Sequence, residues 1–200
     1  MTDLLPLLSY LLAMTVTPGP NNIMLTASGV NFGFRRTIPH IIGICLGSAA
    51  LFVLCALLLN AATEWIAAVR KPLAAAGCAY LIWMAFKLAR ADAPGQAAAP
   101  GPIGFFGGAL FQCVNPKAWI MVLNTAVLFL PAQASLALIL LVALIGIAVG
   151  LPSLALWAWG GERLRRWLHR PWALQAFNLG MAGLLAGTAL WLLADEFGSA

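Results

Sequence analysis

Residues 17–22 read TPGPNN and lie inside a long apolar segment near the N-terminus of the chain. A second apolar segment carries QCVNPKAW at residues 112–119, and its proline, Pro116, follows Pro18 by 98 positions in a chain of 200 residues. Proline lacks a backbone N–H and clashes with the carbonyl one turn earlier, so a membrane helix that contains it exposes polar backbone groups. A matched pair of such broken helices indicates the binding site of a small-solute transporter built from two related halves.

The composition is that of an integral membrane protein. Hydrophobic residues make up 62% of the chain and charged residues only 8%, whereas soluble domains average about a quarter charged residues. A helix needs roughly 20 residues to cross the hydrocarbon core of a bilayer. Six apolar stretches are predicted to cross it, at residues 4–28, 38–60, 72–89, 103–130, 133–159 and 173–194.

Basic residues predict the orientation of these spans, because cytoplasmic loops are enriched in Lys and Arg. Eight of the 11 basic residues lie at or after the ends of the first, third and fifth spans, and both termini are therefore expected to face away from the cytoplasm. The same cations explain the net charge of +5 and are expected to touch anionic lipid, so no nucleic-acid partner is predicted. The eight residues are Arg35, Arg36, Lys87, Arg90, Arg163, Arg165, Arg166 and Arg170.

The chain is predicted to form a single membrane domain of two repeats, residues 1–91 and 103–200, joined by the linker DAPGQAAAPGP at residues 92–102. Residues 42–51, IGICLGSAAL, match residues 145–154, IGIAVGLPSL, at five of ten positions. Three spans in each half make the second half enter the membrane from the opposite side. The predicted fold is therefore all-α, with six transmembrane helices in two inverted three-helix repeats and with helices 1 and 4 broken at proline.

The first break is the strongest candidate for substrate binding. Two prolines and a glycine in close succession cannot continue a regular helix, so carbonyl groups are freed on one side and amides on the other. Helix N-termini favour carboxylates, helix C-termini favour ammonium groups, and asparagine amides both donate and accept. The alternative is a structural kink that neighbouring helices satisfy. The candidate substrate-binding residues are Thr17, Pro18, Gly19, Pro20, Asn21 and Asn22.

The second break adds Asn115, Pro116 and Lys117 as candidate binding residues. Lys117 is the one charged residue that lies well inside a predicted span. A charge there costs at least ~3 kcal/mol on insertion scales, so it is expected to face a cavity, where it could attract a substrate carboxylate. The alternative is a tilted or later-starting helix from which Lys117 reaches the membrane interface.

Groups for enzyme chemistry are not apparent in the predicted membrane interior. The six Asp and Glu residues fall at helix ends or in loops, and His40 and His169 fall at the predicted inner boundary. An intramembrane protease or lipid-modifying transferase would need a nucleophile with a base at membrane depth, so an enzyme is the less favoured alternative, followed by a non-catalytic assembly subunit. The four cysteines lack metal-ligand spacing. No catalytic residue, metal or cofactor is expected.

Three motifs carry a family resemblance: TPGPN at residues 17–21, AGCAYLIWMAFKLAR at residues 76–90 and FQCVNPKAW at residues 111–119. Their order and spacing resemble the LysE/RhtB family of amino-acid exporters, which are bacterial inner-membrane proteins of about this length. The resemblance covers essentially the whole chain. An inner-membrane location, with the orientation predicted from the basic residues, puts both termini in the periplasm. The resemblance assigns substrate binding to the matching positions, Pro18, Gly19, Pro20, Asn21, Asn115, Pro116 and Lys117.

Within that family, the doubled asparagine of TPGPNN and the WMAFK ending look most similar to the branch that exports cysteine and O-acetylserine. Some members carry an acidic residue where this chain has Ser48, and many carry Thr where it has Val114. The missing acid argues against a cationic substrate such as lysine. The resemblance implies a secondary transporter that exports small neutral amino acids or derivatives by alternating access, with protons as a candidate coupling ion and a homo-oligomer left open.

Overall fold

The structure is a computed structural model that describes residues 4–58, 63–90, 101–131, 133–168 and 170–198. The regular structure of these residues is entirely helical. Among them, three helical stretches are long and apolar enough to cross a membrane by length and composition: Phe34–Leu58, Leu136–Arg165 and Pro171–Trp191. The helices are α1 (Leu4–Val16), α2 (Pro20–Phe32), α3 (Phe34–Leu58), α4 (Thr63–Ala89), α5 (Phe105–Phe111), α6 (Pro116–Phe129), α7 (Leu136–Arg165) and α8 (Pro171–Gly198).

At two places in the chain, one short helix follows another after only a few residues. These intervening residues belong to the proline motifs. Helix α1 ends at Val16 and α2 begins at Pro20, a first helical position where the missing N–H costs no intrahelical bond. Gly19 precedes it in an extended conformation. In the same way α5 ends at Phe111 and α6 begins at Pro116. Each motif therefore brings unpaired carbonyls of one helix close to unpaired amides of the next.

Buried apolar side chains join the described helices in three clusters. One packs α1, α3, α6 and α7 together, another packs α4 against α8 and includes Met24 of α2 and Phe111 of α5, and a third packs α2, α3 and α7. Tyr80 of α4 stacks on Phe111 with ring centroids 4.7 Å apart. Large apolar side chains also cover the outer surface, and Leu5 and Phe106 are each 75% exposed. Such a surface suits a lipid environment, because a soluble monomer rarely exposes large apolar patches.

Helices α2 and α7 approach each other through glycine. A Cβ atom at Gly29 would overlap the carbonyl oxygen of Ala158, and one at Gly161 would overlap the carbonyl oxygen of Thr26. Small residues allow backbones this close to each other, which is how membrane helices gain packing without a hydrophobic driving force. The crossing of α2 and α7 therefore depends on both glycines.

Helices α3 and α5 cross in the same manner. A Cβ atom at Gly43 would overlap the carbonyl oxygen of Phe105, and one at Gly108 would lie 2.7 Å from both Cδ2 and the carbonyl oxygen of His40. His40 is consequently fully buried, and neither ring nitrogen has a hydrogen-bond partner among the described residues. The sequence predicts His40 at a membrane boundary but does not predict this burial, because α5 covers the ring from a distant part of the chain.

Two sequence expectations fall on residues of which little is described. Only Gly101 and Pro102 of the predicted linker at residues 92–102 belong to the described residues, and His169 lies outside them.

Candidate functional site

A cavity of about 80 Å³ lies where the two proline motifs meet α3 and α7. One water needs about 10–15 Å³ measured in this way, so the space admits several waters or a small solute. The cavity has a mixed character that suits a small zwitterion with an apolar side chain. Its polar lining residues are Thr15, Asn21, Asn22, Ser48, Gln112, Asn115, Lys117 and Thr125. Its larger apolar lining residues include Leu11, Met14, Ile44, Phe52, Met121, Val122, Val142, Ile147 and Leu154.

The nine site residues predicted from the sequence fall into two sets, those that line the cavity and those that lie next to it. Five line the cavity: Gly19, Asn21, Asn22, Asn115 and Lys117. The other four surround these five in the two motifs without being part of the lining. Thr17 and Pro18 provide oxygens at the end of α1, and Pro20 and Pro116 begin α2 and α6.

Lys117 links the two motifs directly. Its Nζ donates to the carbonyl oxygen of Thr17 at 2.6 Å, to Thr17 Oγ1 at 2.9 Å and to the carbonyl oxygen of Pro18 at 3.3 Å. An ammonium group has three N–H donors and no acceptor, so these contacts use its full capacity. The C-terminal end of a helix carries a partial negative charge. The cation of α6 therefore caps the end of α1.

Asn22 satisfies the same helix end from the other side. Its Nδ2 donates to the carbonyl oxygen of Thr15 at 3.0 Å and to that of Thr17 at 2.9 Å. The side chain is 4% exposed. The last carbonyls of a helix lack intrahelical partners and need such donors when they are removed from water. Asn22 from the first motif and Lys117 from the second thus share the end of α1.

Gln112 is the centre of a polar network at the second motif. Its amide pairs reciprocally with that of Asn21, with Asn21 Nδ2 donating to Oε1 at 3.0 Å and Gln112 Nε2 donating to Asn21 Oδ1 at 3.2 Å. Gln112 Nε2 also donates to the carbonyl oxygen of Gly108 at 2.8 Å. Ser48 Oγ and Asn115 Nδ2 each donate to Oε1 at 3.4 Å. The side chain is fully buried. Its partners lie on three helices, so this network joins α2, α3 and α5.

Sequence reasoning did not select Gln112, although it quoted the motif that contains it. The predicted site residues lie at the helix breaks or carry a charge, whereas Gln112 is uncharged and lies before the break. A usable signal was present, because a glutamine side chain inside a long apolar span needs polar partners, and neighbouring helices can supply them.

Asn115 fixes the start of α6. Its side-chain Oδ1 accepts from the backbone N–H of Lys117 at 3.2 Å, as an N-cap residue does. This places Lys117 in the first turn of α6, with the positive end of the helix beside the cavity. The site consequently offers a negative helix end and a positive helix end, both facing the same small space.

A second polar group lies away from the cavity, and the sequence reasoning did not identify it. Asn31 and Asn178 pair through their amides, with distances of 2.9 Å and 3.2 Å between α2 and α8. Near it, Glu162 Oε1 accepts from the backbone N–H of Phe34 at 3.1 Å, which caps the start of α3. Neither contact touches the residues that line the cavity. Within the described residues, no group of three or more His, Cys, Asp or Glu residues is placed to hold a metal ion.

Comparison with known proteins identifies relatives of the chain. The sequence profile described as "LysE type translocator" matches residues 12–196. The cysteine/O-acetylserine efflux protein of Salmonella typhimurium is 32% identical over 161 residues, which are 79% of this chain and 82% of that protein. The protein of the same name from Escherichia coli (strain K12) is 30% identical over 185 residues, 91% and 93% of the two chains. No solved structure gives a significant match.

Proposed function

The chain belongs to the LysE type translocator family, and we propose that it is a secondary transporter that exports small neutral amino acids or derivatives of the cysteine and O-acetylserine type. Its location is then the bacterial inner membrane. One observation carries this proposal: Lys117 of the second proline motif donates to the carbonyl oxygens of Thr17 and Pro18 in the first. Two motifs that are distant in sequence thereby face one cavity of a size that suits a small solute.

The proposal includes six membrane crossings. Helices α1 and α2 have 13 residues each, about 20 Å at 1.5 Å per residue, which is shorter than the roughly 30 Å of hydrocarbon. Together they are long enough for one crossing that is interrupted at TPGPNN, and α5 with α6 form the equivalent crossing interrupted at NPK. Residues 1–91 and 103–200 are then two inverted repeats joined at residues 92–102, with both termini in the periplasm. Both second half-helices begin with proline, at Pro20 and Pro116, which supports this correspondence.

The two helix ends give the substrate its orientation. The carboxylate of an amino acid is placed at the start of α6, where Lys117 and the N-terminal end of the helix both favour a negative charge. The ammonium group is placed at the carbonyls of Thr17 and Pro18. Met14, Phe52 and Met121 line the cavity and are placed to contact the side chain of the substrate. Among the described residues, the lining contains no carboxylate for a second cation, so we expect a neutral side chain.

We propose alternating access, and the positions of the cavity and of the close crossings support it. The cavity is lined by α1, the first turn of α2, α6 and the middle of α3 and α7, whereas the glycine crossings join the later part of α2 to α7 and the start of α3 to α5. In the proposed topology the close crossings form the cytoplasmic half. The structure then corresponds to a state that is closed on the cytoplasmic side, and loading of substrate requires both crossings to separate.

The test is efflux from proteoliposomes preloaded with cysteine, O-acetylserine, other neutral amino acids or lysine, with and without a pH gradient. Lys117→Ala and Pro18→Ala should abolish efflux while the protein still inserts into the membrane. Lys87→Ala is a matched control, because Lys87 packs over the Trp83 ring at 4.4 Å and does not line the cavity. Unchanged efflux from both test variants would remove the site assignment, and hydrolysis of peptides or lipids by the purified protein would favour an intramembrane enzyme instead.

A further inference from the structure

Lys117 occupies, in this structure, the acceptors that the proposed function assigns to the ammonium group of the substrate. We propose that Lys117 is a resident ligand of the ammonium subsite: its Nζ fills that subsite in the empty transporter and leaves when an amino acid binds. This inference rests on the proposed function and adds to it a rule for which compounds are carried. It concerns the state of the site before the substrate arrives.

The chemistry of the subsite supports an exchange of one ammonium group for another. The Nζ of lysine and the α-ammonium of an amino acid are both R–NH₃⁺ groups with three donors. Three oxygens of Thr17 and Pro18 lie within 3.3 Å of Nζ, so the subsite already has the acceptors that any primary ammonium needs. None of these partners is a carboxylate. The negative character of the subsite comes from one helix end, which offers no charge for a second cation at the same place.

Gly19 makes the occupied state sterically accessible. A Cβ atom at Gly19 would lie 2.8 Å from Lys117 Cδ and 3.1 Å from Nζ. The stem of the lysine therefore lies directly over a residue that has no side chain. Any larger residue at this position would push the lysine away from the carbonyls of α1.

The displaced lysine remains beside the cavity, because it is anchored in the first turn of α6. An amino acid that takes the ammonium subsite brings a carboxylate, and Lys117 can then pair with that carboxylate. An amine without a carboxylate would displace the lysine but leave its charge unpaired within the membrane, which is costly. A carboxylic acid without an amine would leave the carbonyls of α1 unpaired when the lysine moves. Only a zwitterion satisfies both groups.

The resident-ligand role predicts a result that differs from the one expected if Lys117 only binds the substrate carboxylate. Removal of the lysine should weaken binding of the amino acid and, at the same time, create binding of the amine that lacks the carboxylate. If Lys117 occupies the subsite in about nine of ten molecules, the apparent affinity of any other ammonium compound is about tenfold lower than for an empty subsite. Loss of the lysine should remove that factor.

The experiment measures binding of cysteine and of cysteamine, its decarboxylated counterpart, to the purified full-length protein in detergent under reducing conditions. The wild type should bind cysteine, and it should bind cysteamine much more weakly. Lys117→Met should bind cysteamine about tenfold or more tightly than the wild type does. Gly19→Ala, which keeps the lysine but pushes it from the carbonyls, should gain cysteamine binding in the same direction and serves if Lys117→Met does not fold. Lys87→Met should behave as the wild type.

The outcomes separate the inference from the proposed function. If the wild type binds cysteine and neither Lys117→Met nor Gly19→Ala gains cysteamine binding, the resident-ligand role is wrong while the exporter site stands. If the wild type binds cysteamine as tightly as cysteine, the role is also wrong. If the wild type binds neither cysteine nor any other neutral amino acid, the proposed function fails, and the inference fails with it.

Discussion

Asn21 and Gln112 each donate a hydrogen bond to the other through their side-chain amides, at 3.0 Å and 3.2 Å. The pair connects the first turn of α2 to the residue that follows α5, and both side chains line the cavity. Each amide has two donors and an acceptor, so a reciprocal pair still leaves capacity for other partners. Gln112 uses it for Gly108, and its Oε1 accepts from further donors. The two proline motifs are therefore joined by this amide pair as well as by Lys117.

Gln112→Leu should destabilise the protein by roughly 1–3 kcal/mol, because the half-buried Asn21 amide and the fully buried Asn115 amide both lose a partner. Asn21→Leu should have a cost of similar size. The double variant should cost less than the sum of the two, with a coupling of about 0.5–3 kcal/mol between residues that share one network. Thermal unfolding of the four proteins in detergent measures these values. Gln175→Leu is the control, since Gln175 is exposed on α8 and takes no part in the network. Additive costs would show that the amide pair is not energetically coupled.

The adjacent glycines Gly160 and Gly161 provide a matched test of the crossing between α2 and α7. A Cβ atom at Gly161 would overlap the carbonyl oxygen of Thr26, whereas one at Gly160 has no neighbour within 4 Å. Gly161→Ala should lower the free energy of unfolding by about 1–3 kcal/mol, as overpacking does. Gly160→Ala should be neutral or stabilising by up to about 1 kcal/mol, because alanine has the higher helix propensity. Equal melting temperatures for the two variants would contradict the observed packing.

The sequence alone indicated the family and the helical membrane class, since motif order and long apolar runs depend only on local sequence. It was less accurate for helix ends. The predicted span at residues 133–159 corresponds to α7, Leu136–Arg165, which continues past the apolar run. A span predicted from hydropathy ends near the first charged residues. Arginine is nevertheless a good helix former and is favoured in the last turn of a helix. The helix therefore extends beyond the part that the composition marks as a membrane span.

Contacts between distant residues were beyond the reach of the sequence. Asn21 and Gln112 are 91 positions apart, and Asn31 and Asn178 are 147 apart. Nothing in the local sequence of either partner identifies the other, because the pairing is created by the packing of α2 against other helices. The charge of Lys117 marked it as a candidate, yet its partners at the end of α1 became apparent only from the structure. The local pattern thus selects candidate residues, whereas tertiary packing decides which of them meet.

The amide pair of Asn31 and Asn178 should show that losing one partner costs more than losing both. Asn178 is 1% exposed and donates to Asn31 Oδ1 at 3.2 Å. Asn178→Leu removes this partner from the half-buried Asn31 amide, and it should lower the free energy of unfolding by about 1–3 kcal/mol. The double variant to leucine should be closer to the wild type, because two apolar side chains of similar size replace both amides. A double variant less stable than either single variant, measured by thermal unfolding, would argue against this account.

Cys45 reports on occupancy of the cavity, because it is among the lining residues and Cys55 on the same helix is not. In a Cys113→Ser background, which removes the exposed thiol, a small thiol reagent added to the purified protein should modify Cys45 faster than Cys55. O-acetylserine, which has no thiol of its own, should slow modification of Cys45 by filling the cavity, and lysine should not. Mass spectrometry of the modified peptides measures both rates. Equal modification of Cys45 with and without saturating O-acetylserine would show that the substrate does not bind in this cavity.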